Sequence, residues 1–136
     1  FDRSRMDPGV PEYFDNDGRG LYSYLTGAAS WYMLTMITSV YGVHGELGDL
    51  VIEPALMPQQ YNEKGDAKVS LEFAGHGFDI LVHNPDKLEP GDAQVKRALC
   101  DDVKVENVTG NSVRIPRHAI EMLSTDKCHT VEIYIE

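Results

Sequence analysis

The sequence predicts a mainly β fold: a jelly-roll-like antiparallel β-sandwich preceded by one helix of the buried type. Three observations carry this. Residues 21–43 contain no charged side chain. After Pro54 apolar and polar residues alternate with the period of two that a half-buried strand requires. Further short strands follow with turn residues between them, the texture of a sandwich.

Residues 1–20 are rich in Asp, Gly, Pro and Arg and read as loop, with a tight turn at Asp15-Asn16-Asp17-Gly18. Those four residues also match the start of a calcium-binding loop, but Thr26 stands where that loop needs its bidentate Glu, so a turn is the reading. Residues 27–41 form a helix whose only polar members are Ser, Thr and Tyr, closed by Gly42. A helix apolar on all faces is buried between other elements or spans a membrane. The Thr, Ser and Tyr content and the absence of basic flanks favour burial in protein. Residues 68–73, a turn at Ala74-Gly75-His76-Gly77, and Phe78, Ile80 and Val82 form an antiparallel hairpin. Strands are expected at 50–52, 94–99, 103–105, 112–115 and 130–135, the last with Val131, Ile133 and Ile135 on one face and Glu132 and Tyr134 on the other. Pro116 opens a short helix over 116–123. Two domains result: residues 1–48, a loop and a helix of buried type, and residues 49–136, the sandwich.

At 136 residues, with 42% hydrophobic and 25% charged residues, the chain is long enough to fold around a single core. Its net charge of -10 and scattered basic residues argue against a nucleic-acid partner. Cys100 and Cys128 form neither a disulfide framework nor a metal motif and read as free thiols in a reducing compartment, so a cytoplasmic location is expected. Asn107-Val108-Thr109 fits a glycosylation sequon without a signal peptide beside it. The first residue is Phe1 rather than Met, which suggests processing or a fragment of a longer polypeptide.

The candidate site is the run Leu25-Thr26-Gly27-Ala28-Ala29-Ser30. Thr26 is placed to cap the helix or to turn its hydroxyl to a ligand, and small residues leave the first-turn N–H groups unobstructed at the positive end of the helix dipole. An anion such as phosphate fits there; an ordinary capped helix is the plainer alternative. Asp49 and Glu53 read as solvated carboxylates, and His44, His76, His83, His118 and His129 as surface or turn residues. No nucleotide loop, nucleophile elbow, catalytic Cys or local metal pair is present, so no metal or cofactor is expected.

The run Val10-Pro11-Glu12-Tyr13-Phe14-Asp15, followed by Gly18-Arg19-Gly20-Leu21-Tyr22-Ser23-Tyr24-Leu25-Thr26-Gly27-Ala28-Ala29-Ser30-Trp31-Tyr32, resembles the C-terminal part of the cellobiose phosphorylase family, glycoside hydrolase family ninety-four. Tyr41-Gly42-Val43, Gly45-Glu46-Leu47-Gly48-Asp49-Leu50-Val51-Ile52-Glu53-Pro54 and Phe73-Ala74-Gly75 continue the resemblance. It implies a barrel of paired helices, of which residues 21–41 are the last, followed by a β-sandwich. It also implies an inverting phosphorolysis of β-linked glucose di- or oligosaccharides by inorganic phosphate, giving α-glucose 1-phosphate. Thr26 and Gly27 then contribute to the phosphate site, Glu12 and Tyr13 lie near the sugar pocket, and the general acid is an Asp upstream of this chain. The partners implied are the upstream barrel of the same polypeptide, oligosaccharide and phosphate, with a homo-oligomer compatible. A cyclic β-1,2-glucan synthase carrying such a phosphorylase-like domain fits the same residues. The reading from another class is a non-catalytic, carbohydrate-associated β-sandwich module, which an exposed row of aromatic rings on the sheets would support.

Overall fold

The computed structural model describes residues 27–136 together with the main chain of Arg5–Met6 and Tyr13–Phe14. It divides into two compact units, Phe1–Thr35 and Met36–Glu136.

In the first unit β1 (Arg5–Met6) and β2 (Tyr13–Phe14) pair antiparallel, Arg5 opposite Phe14 and Met6 opposite Tyr13. The sequence reads as loop here because strands of two residues are too short to show a period. The expected turn at Asp15-Asn16-Asp17-Gly18 lies outside the described residues. Helix α1 spans Ala28–Thr35, carries no charged residue, and has no buried residue.

The helix expected over 27–41 changes its winding after Thr35. Met36–Val40 is π-helical, and the Tyr41 N–H donates to the Met36 carbonyl at 2.9 Å. Thr35, Ile37, Thr38 and Val40 are β-branched and crowd the turn before them, which a wider winding relieves. Ile37, Val40 and Tyr41 pack against the core of the second unit. The last turns of the expected helix therefore have their partners in the sheets of the second unit. Gly42 closes the segment at φ +68°, where a Cβ would stand 1.9 Å from the Glu53 carbonyl oxygen.

The second unit holds β3 (Val43–Glu46), β4 (Asp49–Ile52), β5 (Asp66–Phe73), β6 (His76–His83), β7 (Val95–Cys100), β8 (Val103–Lys104), β9 (Val108–Thr109), β10 (Ser112–Ile115), α2 (Arg117–Glu121) and β11 (Cys128–Ile135). They form a four-stranded sheet, β3-β4-β10-β9, and a five-stranded sheet, β5-β6-β11-β7-β8. The expected hairpin is present as β5 and β6, joined by Ala74 at φ 52° and Gly75 at φ 79°, the paired positive angles of a tight two-residue turn. Leu47 at φ 54° and Gly48 at φ 94° make the same kind of turn between β3 and β4. That hairpin runs through the position where the sequence reading divides the chain, between residues 48 and 49.

One expectation of the sandwich is corrected: β11 runs parallel to β6, Val131 opposite Ile80 and Ile133 opposite Val82. The remaining pairs are antiparallel. A parallel pair needs a long crossover, and the chain between β6 and β11, including α2, supplies it. One hydrophobic cluster is shared by the two sheets: Leu50, Ile52, Val113 and Ile115 from the first, Phe78, Ile80, Val82, Ala98, Val131 and Ile133 from the second. Burial alternates along β6 and β11, so each gives one face to the core and turns the other outward.

Candidate functional site

Four site residues were expected, Thr26 and Gly27 at the start of α1 for phosphate and Glu12 and Tyr13 near the sugar pocket. Thr26 and Glu12 lie outside the described residues, and Tyr13 is described only as the β2 main chain opposite Met6. Gly27 is placed in full. Its carbonyl accepts the Trp31 N–H at 2.8 Å. Gly27, Ala28, Ala29 and Ser30 are all exposed. Among Gly27–Ser30 no side chain is larger than that of Ser30, and the Trp31 indole folds back toward Gly27: a Cβ there would meet Cδ1 at 3.3 Å and Nε1 at 3.5 Å.

The helix start supplies positive dipole, glycine permits close approach of the main chain, and the indole N–H is a donor beside it. Trp31, on a helix whose sequence reads as buried between other elements, is 68% exposed. The four-residue spacing from Gly27 to Trp31, which puts both on one side of a helix, is the signal that could have found it.

The polar clusters of the second unit hold the fold together. Asp101, in the turn after β7, accepts Lys127 Nζ at 2.7 Å, His129 Nδ1 at 2.8 Å and the Thr130 N–H at 2.9 Å. The Lys127 ammonium foremost, then His129 and the Thr130 N–H, hold its carboxyl well below the ordinary range against the opposing effect of burial. His129 is 1% exposed and its Nε2 lies 2.7 Å from the Ser124 carbonyl. His76 is buried as well, its Nδ1 3.3 Å from the same carbonyl. Two of the five histidines expected at the surface or in turns are thus core side chains; isolated His residues carry no motif that would reveal this.

Asp49 accepts the Arg117 N–H at 2.8 Å and Arg114 Nη1 at 3.0 Å, and the Arg117 bond chiefly lowers its carboxyl. It ties β4 to β10 and to the start of α2. Asp66 accepts His83 Nδ1 at 2.8 Å, which holds its carboxyl low. The His83 ring stacks on Tyr134 at 4.7 Å between centroids, and the Arg97 guanidinium lies 3.9 Å from the same ring centre. Since β11 lies between β6 and β7, His83 and Arg97 approach Tyr134 from opposite sides. Tyr134 therefore offers no free face for stacking on a sugar. The exposed aromatic rings among the described residues, Trp31 and Tyr32, sit on α1.

Cys100 and Cys128 are free thiols, and burial pushes the Cys100 thiol up. An apolar groove of about 550 Å³ is lined by Cys100, Val103, Val105, Ile115, Ala119 and Leu123. Among the described residues no cluster of His, Cys, Asp and Glu is suited to a metal ion, and no helix is long and apolar enough to cross a membrane. The sequence matches no protein-family model and no curated protein.

Proposed function

We propose that this chain is the C-terminal part of an inverting glycoside phosphorylase acting on β-linked glucose di- or oligosaccharides. In this reading α1 is the end of the helical catalytic barrel, and the two sheets form a stabilising β-sandwich of jelly-roll type. One observation carries the proposal: α1 is uncharged and wholly unburied, with Trp31, Tyr32, Met33 and Leu34 all at least half exposed. A soluble protein rarely leaves so many large apolar side chains together in water unless something covers them. The upstream helices of a barrel are the occupant proposed. The resemblance of residues 10–54 to the cellobiose phosphorylase family supplies the chemistry.

Inversion needs one carboxylic acid to protonate the leaving glycosidic oxygen, while phosphate stands where a hydrolase holds its activated water. The acid is assigned upstream of Phe1. Thr26 and Gly27 bind the phosphate, the hydroxyl of Thr26 and the main chain of Gly27 donating to its oxygens, with the Trp31 indole N–H as a further donor. Glu12 and Tyr13 border the sugar. Phosphate is a co-substrate, and the reading assigns no other cofactor.

Two experiments test this. The 136-residue chain, incubated with phosphate and β-linked glucose disaccharides, should release no sugar phosphate, because the acid is outside it. In the longer polypeptide, Thr26→Val keeps the shape and removes the hydroxyl; losing a bond to a charged oxygen, about 1.5–3 kcal/mol, should lower kcat/KM for phosphate by roughly ten- to a hundredfold. Turnover by the chain alone, or unchanged phosphate kinetics in the variant, would overturn the assignment.

A further inference from the structure

We propose that His129 is a proton-operated latch: its doubly protonated ring, donating to the Asp101 carboxylate and to the Ser124 carbonyl at once, holds the segment between α2 and β11 against the β7–β8 turn, and loss of one ring proton releases that segment. His129 is 1% exposed on the buried face of β11. Its Nδ1 lies 2.8 Å from Asp101 Oδ2 and its Nε2 2.7 Å from the Ser124 carbonyl oxygen. Both neighbours are acceptors. A carbonyl has no proton to give, and Asp101 is ionised, its carboxyl held well below the ordinary range by Lys127 foremost. A neutral imidazole has one N–H and one lone pair. It would turn that lone pair on an oxygen at hydrogen-bond distance in a site closed to water, whereas the imidazolium satisfies both oxygens.

The surroundings give the charge something to hold. From β6 the ring meets Phe78 at 5.8 Å and His76 at 6.0 Å between centroids. Lys127 shares the same Asp101 oxygen at 2.7 Å and is the like charge that opposes the second ring proton. His76 Nδ1 lies 3.3 Å from the Ser124 carbonyl, whose two lone pairs can accept from both rings. Residues 124–127 form no helix or strand and are exposed. Their bonds to the rest of the fold run into this cluster, Ser124 to the two histidines and Lys127 to Asp101. When the ring keeps a single proton, the charge-assisted bond to Asp101 retains it, so the lone pair falls on Nε2 and the Ser124 carbonyl is the partner released. Asp101 and Leu123 also line the apolar groove beside α2, so the latch ties together two of its walls.

Nitrogen-15 NMR of the 136-residue chain tests this. At neutral pH both ring nitrogens of His129 should carry a proton, and the amides of residues 124–127 should have order parameters of about 0.85, those of a rigid backbone. As the pH rises and the ring passes to a single proton, these values should fall below about 0.6 in step with the ring signal. H129F keeps a ring beside Phe78 but cannot donate, so the segment should be mobile at every pH. H76N keeps a donor in place of Nδ1 and cannot titrate, so the pH dependence should persist in it. A single ring proton on His129 at neutral pH, a segment whose order is unchanged while the ring titrates, an ordered segment in H129F, or loss of the pH dependence in H76N would overturn the proposal. The first two are read in the unmodified chain and stand whether or not either variant folds.

Discussion

Helix α1 and strand β6 are both rich in apolar side chains, and the structure treats them in opposite ways. Phe78, Ile80 and Val82 of β6 are fully buried, while Trp31, Tyr32, Met33 and Leu34 of α1 are exposed. The difference is one of partners. β6 lies between β5 and β11, and its core face meets a second sheet encoded in the same 136 residues. In α1 no residue is buried. Apolar composition therefore marks where a surface must be covered, and only the fold shows whether the cover is in the chain.

The largest effect should come from the covered side. Phe78→Ala deletes a side chain of zero exposure and should lower unfolding stability by about 3–5 kcal/mol in urea titrations. A loss under 1 kcal/mol would mean that the two sheets do not share one tight core.

The contrast explains what was legible in the sequence. The hairpin of β5 and β6 could be read because its alternation is unbroken and its turn holds Ala74-Gly75, and the strand at 130–135 because Val131, Ile133 and Ile135 keep their period. The parallel direction of β11 could not be read, since alternation fixes which face is buried and not which way a strand runs. The π-helical winding at Met36–Val40 was hidden because crowding by Ile37, Thr38 and Val40 changes geometry without changing hydrophobicity. At the candidate site, Gly27 and its small neighbours stood out as a helix start without bulky side chains, but the fold of the Trp31 indole back toward Gly27 depends on its rotamer. His129 looked like a turn residue because its partners, Asp101 and Ser124, are distant in sequence or belong to the main chain.

A smaller effect is expected at the polar clasp of the second unit. Asp101→Asn removes the charge that receives Lys127 and His129 and should cost about 1–3 kcal/mol near neutral pH. The sign with pH follows from the lowered carboxyl. Its folded-state pKa is below the unfolded value of about 3.9, so its stabilisation is fully present above the unfolded pKa and is lost as pH falls toward and through the lower folded value. Acid titration of stability should therefore show a steeper decline in the unmodified chain than in Asp101→Asn. Parallel declines would remove Asp101 from the account of acid stability.

The smallest effect belongs to the uncovered side. Trp31→Ala should change the unfolding stability of the chain by no more than about 0.5 kcal/mol, because an exposed side chain has little burial to lose. If the proposed longer polypeptide covers it with upstream helices, the same substitution should there cost about 3–5 kcal/mol. Equal effects in the two settings would remove the contrast.

Hydrogen exchange on the 136-residue chain tests the central claim most directly, because it reads α1 and the strands in one sample. Amides of Tyr32, Met33 and Leu34 should exchange far faster than those of Ile80, Val82, Val131 and Ile133, whose opening requires the sheets to separate. If the α1 amides are as protected as those of β6 and β11, the helix is already held by its own chain, and its assignment as the docking end of a catalytic barrel is contradicted.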